Sequence, residues 1–195
     1  MSKAVFFCVG TGGHVLPVLN IVKTISKKGI NESDILVITD KRGEQYFSES
    51  SLEIITYPFV SSTKGILGYF FKMFKIVISV FVIFKRLRKL NISFIFTTGA
   101  YIAPVAAVLS VMLRTKFYIQ EQNIFAGLGN KVSAFCADSV FTSFPNTENI
   151  SQKNIDFSGP VLNLDVAKIR DNSNSSFTIG FQGGSQGSKE INDLA

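Results

Sequence analysis

The chain has no tryptophan, one histidine and two cysteines in 195 residues. Cys8 lies in an apolar run and Cys136 in an apolar helical stretch. Their placement fits neither a zinc site nor a disulfide framework, and it suits a reducing cytosol. No Gly-Lys-Ser/Thr follows the first glycine cluster, so there is no Walker loop. Gly10 and Gly12 fit the start of G-x-G-x-x-G, but position 15 is Val, which demotes dinucleotide hydride chemistry. One lysine and a short apolar run ending in glycines do not make a secretory signal. Charged residues are few, at 17%, and leave a net charge of +6. What is present is apolar: 46% hydrophobic residues, 19 of them Phe. A basic, Phe-rich globular chain points to an anionic partner, either nucleic acid or a membrane surface. The length allows one good core, or one domain and part of another.

The most informative stretch is Ala4 to Asn20. Ala4 to Val9 reads as a buried strand, since no polar residue alternates with the apolar ones. It runs into Gly10-Thr11-Gly12-Gly13-His14. A helical pattern follows in Val15, Leu16, Val18, Leu19, Val22 and Ile25, with Pro17 in the first turn, where its missing N–H costs little. A strand, a glycine turn and a helix start present free N–H groups and the positive end of a helix dipole. Glycines there let an anionic or bulky ligand approach the backbone. The alternative is a tight βα turn with no ligand.

Lys27-Lys28-Gly29 closes the first helix. Strands are expected at 35–39 and 52–57, with a short helix within 40–51 and a loop from Ser61 to Gly65. This βαβαβ order predicts a parallel sheet. Further strands are expected at 93–98, 116–119, 139–142 and 155–157. Between them lie helices from Pro104 to Leu113 and from Ala126 to Ala137. Gln120-Glu121-Gln122-Asn123 follows a parallel strand directly, where open α/β sheets hold ligands. Amides there can read hydroxyls. A carboxylate can hold a sugar hydroxyl or take a proton. A plain polar loop is the alternative.

Residues 66–90 form a long apolar segment that also carries cations. At helical periodicity Lys72, Lys75, Ser79 and Arg86 share a stripe, opposite Phe70, Phe74 and Phe81. Two lysines inside the apolar stretch argue against a spanning helix. Of a core helix and a helix resting partly on an anionic membrane surface, the Phe residues beside a Lys/Arg cluster favour the second. The positive charge gathers with Phe on one helix rather than along a groove, so no nucleic-acid partner is expected. Residues 165–176 read as an Asn/Ser-rich linker. Phe177 to Phe181 and Gly183-Gly184-Ser185-Gln186-Gly187 then restart the strand, glycine-loop, helix theme. The predicted organisation is an α/β, Rossmann-like parallel-sheet domain over 1–164, a linker over 165–176, and the start of an incomplete second α/β unit over 177–195.

Two glycine corners with a polar cluster between them resemble a GT-B glycosyltransferase. Gly10-Thr11-Gly12-Gly13-His14 with Pro17, then Gly99-Ala100-Tyr101, then Glu121-Gln122-Asn123 with Ala126-Gly127, Phe144-Pro145 and Gly183 to Gly187 stand in an order similar to that of the MurG family. These are the peptidoglycan N-acetylglucosaminyltransferases. The resemblance implies an inverting transfer of N-acetylglucosamine from UDP-N-acetylglucosamine to the C4 hydroxyl of lipid I, giving lipid II. It implies no metal or other cofactor. It also implies a peripheral location on the cytoplasmic face of the bacterial inner membrane. Thr11, Gly12, Gly13, Asn123 and Ser185 would bind the donor. His14 and Glu121 would position the acceptor or act as base, and Tyr101 would shape the acceptor side. Phe70, Lys72, Phe74, Lys75, Phe81 and Arg86 would meet the anionic inner membrane.

Some positions depart from the family pattern. Val9 and Ala100 stand where the family has glycine, Gln120 where it commonly has histidine, and Leu162 where an arginine would contact donor phosphate. The family's chains run to about twice this length, which leaves three expectations open. The sequence is part of such an enzyme and inactive alone, or a membrane-docked subunit completed by a separate donor-domain chain, or a binding module that has lost activity.

Overall fold

The computed structural model describes residues 2–57, 66–151, 154–162 and 193, and for 66–75 only the helical backbone. Seven strands form one wholly parallel sheet: β1 (Lys3–Phe7), β2 (Ile35–Thr39), β3 (Glu53–Thr56), β4 (Ile92–Thr97), β5 (Lys116–Glu121), β6 (Ser139–Thr142) and β7 (Ile155–Phe157). Their spatial order is β3-β2-β1-β4-β5-β6-β7. The order reverses between β1 and β4. The chain builds outward from β1 in one direction, then returns to build outward in the other. At such a switch point the two neighbouring crossovers leave on opposite faces and a crevice opens at the carboxyl ends of the strands.

Alternation along each strand sorts the core into two layers. Val5, Phe7, Leu36, Ile38, Ile95, Phe117, Ile119 and Val140 face one side. They pack against Ile83 and Leu87 of α3 (Ile66–Leu87), and Val105, Ala106 and Leu109 of α4 (Ala103–Leu113). The other side carries Phe6, Cys8, Ile35, Val37 and Phe96, under Val15, Val18 and Val22 of α1 (Gly12–Lys27). On that side Phe6, Phe94, Tyr118 and Phe141 run across β1, β4, β5 and β6 as an aromatic ladder with centroids 5.8 to 6.1 Å apart. Part of the phenylalanine content is thus sheet core, where aromatic cross-strand pairs add to area burial. Burial pushes the Cys8 thiol pKa upward, so that side chain serves as a small core hydrophobe.

Several expected boundaries move. β1 ends at Phe7, although Cys8 and Val9 stay fully buried as the chain enters its turn. β5 runs on to Glu121, so Gln120 and Glu121 belong to the strand rather than to a loop. The helix expected over 126–137 is shorter, α5 (Leu128–Ser133), followed by a 3-10 turn. The helix expected within 40–51 is α2 (Lys41–Glu44), capped by Asp40, whose carboxylate accepts from the Gly43 N–H.

The assigned faces of α3 also need correction. Ser79, placed on one stripe with Lys72, Lys75 and Arg86, is buried. It lies on the inward face with Ile83 and Leu87, while Val77, Ile78, Phe81 and Val82 are exposed. A small hydroxyl lets the helix pack closely on the sheet layer, and the aliphatic repeat sets the inward face. Arg86 is exposed and pairs with Glu53 at 3.3 Å, at the sheet edge. Phe70, Lys72, Phe74 and Lys75 lie outside the described side chains. No helix among the described residues is long and apolar enough to cross a membrane.

Residues 1–161 make one compact unit and 162–195 a second. The linker expected at 165–176, the second glycine corner and Ser185 lie outside the described residues.

Candidate functional site

The site begins where β1 turns into α1. Gly10 holds φ +91°, a left-handed conformation that a Cβ disfavours. Thr11 caps the helix without any side-chain hydrogen bond, and the first turn holds no acidic residue. The N–H groups of Gly12 and Gly13 therefore have no intrahelical partner, and no carboxylate within the first turn offsets the dipole's positive end. A Cβ placed on Gly13 would meet nothing within 4 Å. Neither packing nor φ demands glycine at that position, so its missing side chain leaves space for something outside the fold.

His14 sits in the first turn of α1. Its Nδ1 lies 2.9 Å from the carbonyl oxygen of Thr98, and the Thr98 hydroxyl donates to the His14 carbonyl at 2.6 Å. These reciprocal bonds join α1 to the end of β4 across the switch point. A carbonyl only accepts, so Nδ1 carries the proton. In the neutral ring Nε2 then keeps its lone pair.

The next turn continues this edge. Gly99 has φ +104°, and a Cβ there would come within 2.7 Å of Asn130 Nδ2. Asn130, on α5, donates to Glu121 Oε2 at 2.8 Å, and the Gly127 N–H reaches the same oxygen at 3.2 Å. Glu121 Oε1 accepts from the Asn123 N–H at 2.8 Å and from Asn123 Nδ2 at 3.0 Å. Each carboxylate oxygen thus takes two donors, and Glu121 is 2% exposed. Such a carboxylate organises the 121–130 loop, and both oxygens are already engaged. Asn123 itself is exposed. Gln120 is buried on the opposite face of β5 and donates to Ser143 Oγ at 2.8 Å. Gln120 Oε1 and Asn130 Oδ1 are buried acceptors with no hydrogen-bond partner among the described residues.

Asp40 stands on the other flank of the glycine corner. It is 4% exposed and accepts from Gly10 N–H at 3.1 Å, Gly43 N–H at 2.9 Å, the Tyr101 hydroxyl at 3.1 Å and the Arg42 guanidinium at 3.2 Å. Burial alone would raise its pKa, but these donors together hold it below the ordinary carboxylate value. The Tyr101 phenol is pushed up to about 12 by burial and by the Asp40 charge.

Of the residues singled out in the sequence, Thr11, Gly12, Gly13 and His14 occur on one turn. Thr98, Gly99 and Asn130 connect that turn to Glu121 and Asn123, and Asp40 connects it to Tyr101. Asp40, Thr98 and Asn130 are the members that sequence reasoning missed. Asp40 had a visible signal, as the residue after a buried strand and just before a short helix. Thr98 and Asn130 had none, because their roles exist only once β1, β4 and α5 are adjacent. A second missed signal is charge. No Asp or Glu stands between Glu53 and Glu121, while Lys85, Arg86, Arg88, Lys89 and Arg114 all do. The exposed faces of α3, α4 and α5 lie side by side, with Phe81, Val82, Val108, Val111, Leu128 and Phe135 outward. Among the described residues no group of His, Cys, Asp and Glu is placed to hold a metal ion.

Comparison with known proteins agrees with this geometry. Residues 4–142 match the glycosyltransferase family 28 N-terminal domain. The chain is 30% identical, over 95% of its length, to the UDP-N-acetylglucosamine–N-acetylmuramyl-(pentapeptide) pyrophosphoryl-undecaprenol N-acetylglucosamine transferase of Thermosipho africanus. It is 29% identical over its whole length to the protein of that name from Borreliella burgdorferi. It spans 55% and 57% of those two relatives, so it corresponds to about half of each. Among solved structures, Acinetobacter baumannii MurG superposes with a TM-score of 0.64 at 23% identity, over 78% of this chain and 44% of that one. The kitacinnamycin glycosyltransferase gives 0.54 at 12% identity, over 82% of this chain and 51% of that one. Both share the fold of a Rossmann-like parallel sheet.

Proposed function

The chain belongs to glycosyltransferase family 28, and on that footing we propose that it forms the acceptor-binding half of an inverting N-acetylglucosaminyltransferase. The donor is UDP-N-acetylglucosamine and the acceptor is lipid I, as the names of the relatives suggest. The observation that carries the proposal is the tether of His14 Nδ1 to the Thr98 carbonyl at the switch point, which leaves Nε2 as a proton acceptor.

In the reaction, the C4 hydroxyl of the muramoyl sugar attacks the anomeric carbon of the donor from the face opposite the diphosphate. The new C–O bond forms as the bond from the anomeric carbon to the diphosphate oxygen breaks, and UDP leaves with the electron pair. The hydroxyl proton passes to His14 Nε2. An imidazole nitrogen that keeps its lone pair is the group most often used as a general base. Charge builds on the departing diphosphate. In this reading the N–H groups of Gly12 and Gly13 at the α1 start offset part of it, and Thr11 and Asn123 add donor contacts. Glu121 acts as a positioning residue, because its oxygens are already taken, and Tyr101 bounds the acceptor side.

The acceptor is lipid-linked, and the outward faces of α3, α4 and α5 combine apolar side chains with cations and no carboxylate on those helices. That combination suits peripheral docking on an anionic leaflet, here the cytoplasmic face of the inner membrane. The first test is transfer of labelled N-acetylglucosamine to lipid I by this chain with a separately produced donor-binding domain of a relative. Turnover that needs both polypeptides and falls by at least about 100-fold with His14→Ala supports the proposal, within the usual range for removing a general base. Turnover indifferent to His14 refutes it.

A further inference from the structure

An apolar cavity of about 450 Å3 opens between α3 and α4. Its deeper wall is Ile76, Val80 and the buried Val105, and its mouth is formed by the exposed Val77, Phe81 and Val108. Tyr101 closes one side of it. The Tyr101 hydroxyl bonds Asp40, and Asp40 holds the Gly10 N–H of the glycine corner. Tyr101, assigned to the acceptor side, therefore borders the cavity and joins it to the glycine corner through Asp40. α4 starts just after Gly99, so a groove along it leads away from the switch point for up to about 16 Å, the length of an 11-residue helix.

We propose that this groove seats the first isoprene units of the lipid-linked acceptor, so that the chain leaves the sugar through protein before it enters the bilayer. The proposal rests on the acceptor assignment made above, and it goes further in giving the lipid chain its own binding site. Three observations select a prenyl chain carrying a diphosphate over other occupants. The lining is almost wholly aliphatic and aromatic, which suits branched hydrocarbon. The groove is continuous with the polar corner through Tyr101 and Asp40, so one ligand with a polar head and an apolar tail spans both. The names of the relatives give the acceptor as a pyrophosphoryl-undecaprenol, which is a diphosphate head on a prenyl chain. The volume lies within the range of small-ligand sites.

The experiment titrates the full chain, methyl-labelled for NMR, with farnesyl diphosphate below its micelle-forming concentration. The expected result is saturable shifts at Val80, Val105, Val108 and Met112, with inorganic diphosphate producing none. Val108→Trp at the exposed mouth should weaken farnesyl diphosphate binding by at least about tenfold. Val77→Trp, from the facing wall, should do the same. Phosphatidylglycerol vesicle binding is measured beside it, and because both positions lie on the outward apolar face, binding at or above the wild-type level is expected, which separates loss of the groove from loss of the membrane surface. Farnesyl diphosphate binding no tighter than inorganic diphosphate, or unchanged in both Trp variants, overturns the proposal. Equal affinity for n-dodecyl diphosphate also overturns it, since the groove would then be a site for lipid chains of any kind. Prenyl binding that survives while vesicle binding is absent supports the groove and removes the membrane surface instead.

Discussion

Replacing Glu121 by Gln separates a carboxylate that organises a loop from one that performs chemistry. The wild-type side chain is 2% exposed and takes two N–H donors on each oxygen. Glutamine keeps one oxygen. Whichever way its amide is turned, the NH2 group faces two N–H donors, either those of Asn123 or those of Gly127 and Asn130. Two hydrogen bonds to a charged acceptor are lost, each worth about 1.5–3 kcal/mol. Local rearrangement recovers part of this, so the expected loss is about 2–4 kcal/mol. In a domain of this size each kcal/mol moves the melting temperature by about 2–4 °C, giving a fall of roughly 5–15 °C. The assay is thermal unfolding by circular dichroism, with an Asn130→Ala variant beside it. Asn130→Ala should also destabilise, and adding it to Glu121→Gln should cost less than the sum, since the two share a hydrogen bond. A melting temperature for Glu121→Gln within about 2 °C of the wild type would refute the reasoning, because two hydrogen bonds to a charged acceptor cannot be lost so cheaply.

Asp40→Asn should lower stability at neutral pH and flatten the acid limb of the stability curve. The folded pKa of Asp40 is depressed, so its contribution is fully present above the unfolded value near 3.8 and is lost as pH falls through the lower folded value. Equilibrium unfolding at pH 7 and at pH 3 checks this, and an unchanged acid limb would contradict it. Gly13→Ala should leave the melting temperature unchanged or slightly raised, since alanine favours the helix by up to about 1 kcal/mol and its Cβ meets nothing. The same variant should weaken UDP binding, measured by calorimetry, because the methyl stands where the ligand approaches. The triple change Lys85→Glu, Arg88→Glu and Lys89→Glu should abolish binding to anionic vesicles in a flotation assay while leaving neutral-vesicle binding at its low basal level. Retained binding would remove the electrostatic part of the membrane docking, which at about 1 kcal/mol per cation should be decisive.

The parallel sheet was legible because each strand is a short apolar run bounded by turn residues and separated by helical patterns. Ala4 to Phe7 and Ile35 to Thr39 are buried on both faces and leave no alternation to misread. The glycine corner was legible for a different reason, since a strand and three glycines running into a helical pattern allow few other arrangements, although α1 starts at Gly12 and so carries Pro17 inside the helix rather than in the first turn expected. What sequence could not give was the far side of each contact. Ser79 shares a stripe with lysines and an arginine at helical spacing, yet it is buried beside Ile83 and Leu87. Only the position of β4 and β5 beneath α3 and α4 decides which stripe turns inward. Glu121 looked available for catalysis because carboxylates after parallel strands often are. Its four donors come from a loop and a short helix whose return to β5 is a tertiary fact. Thr98 likewise follows a strand, as many threonines do. It matters because β4 lies beside β1, which places its carbonyl against the His14 ring.

The central claim is that the acceptor sugar is received at the β1–β4 switch point, against His14. The chain has a single histidine, so one imidazole 15N signal pair reports on it without assignment. The decisive measurement is that signal during titration with a short-chain, water-soluble lipid I analogue. The expected result is a saturable shift at the His14 Nε2 resonance, with backbone shifts at Thr98 and Gly99 following the same curve. Saturable binding that leaves His14, Thr98 and Gly99 unmoved would contradict the account.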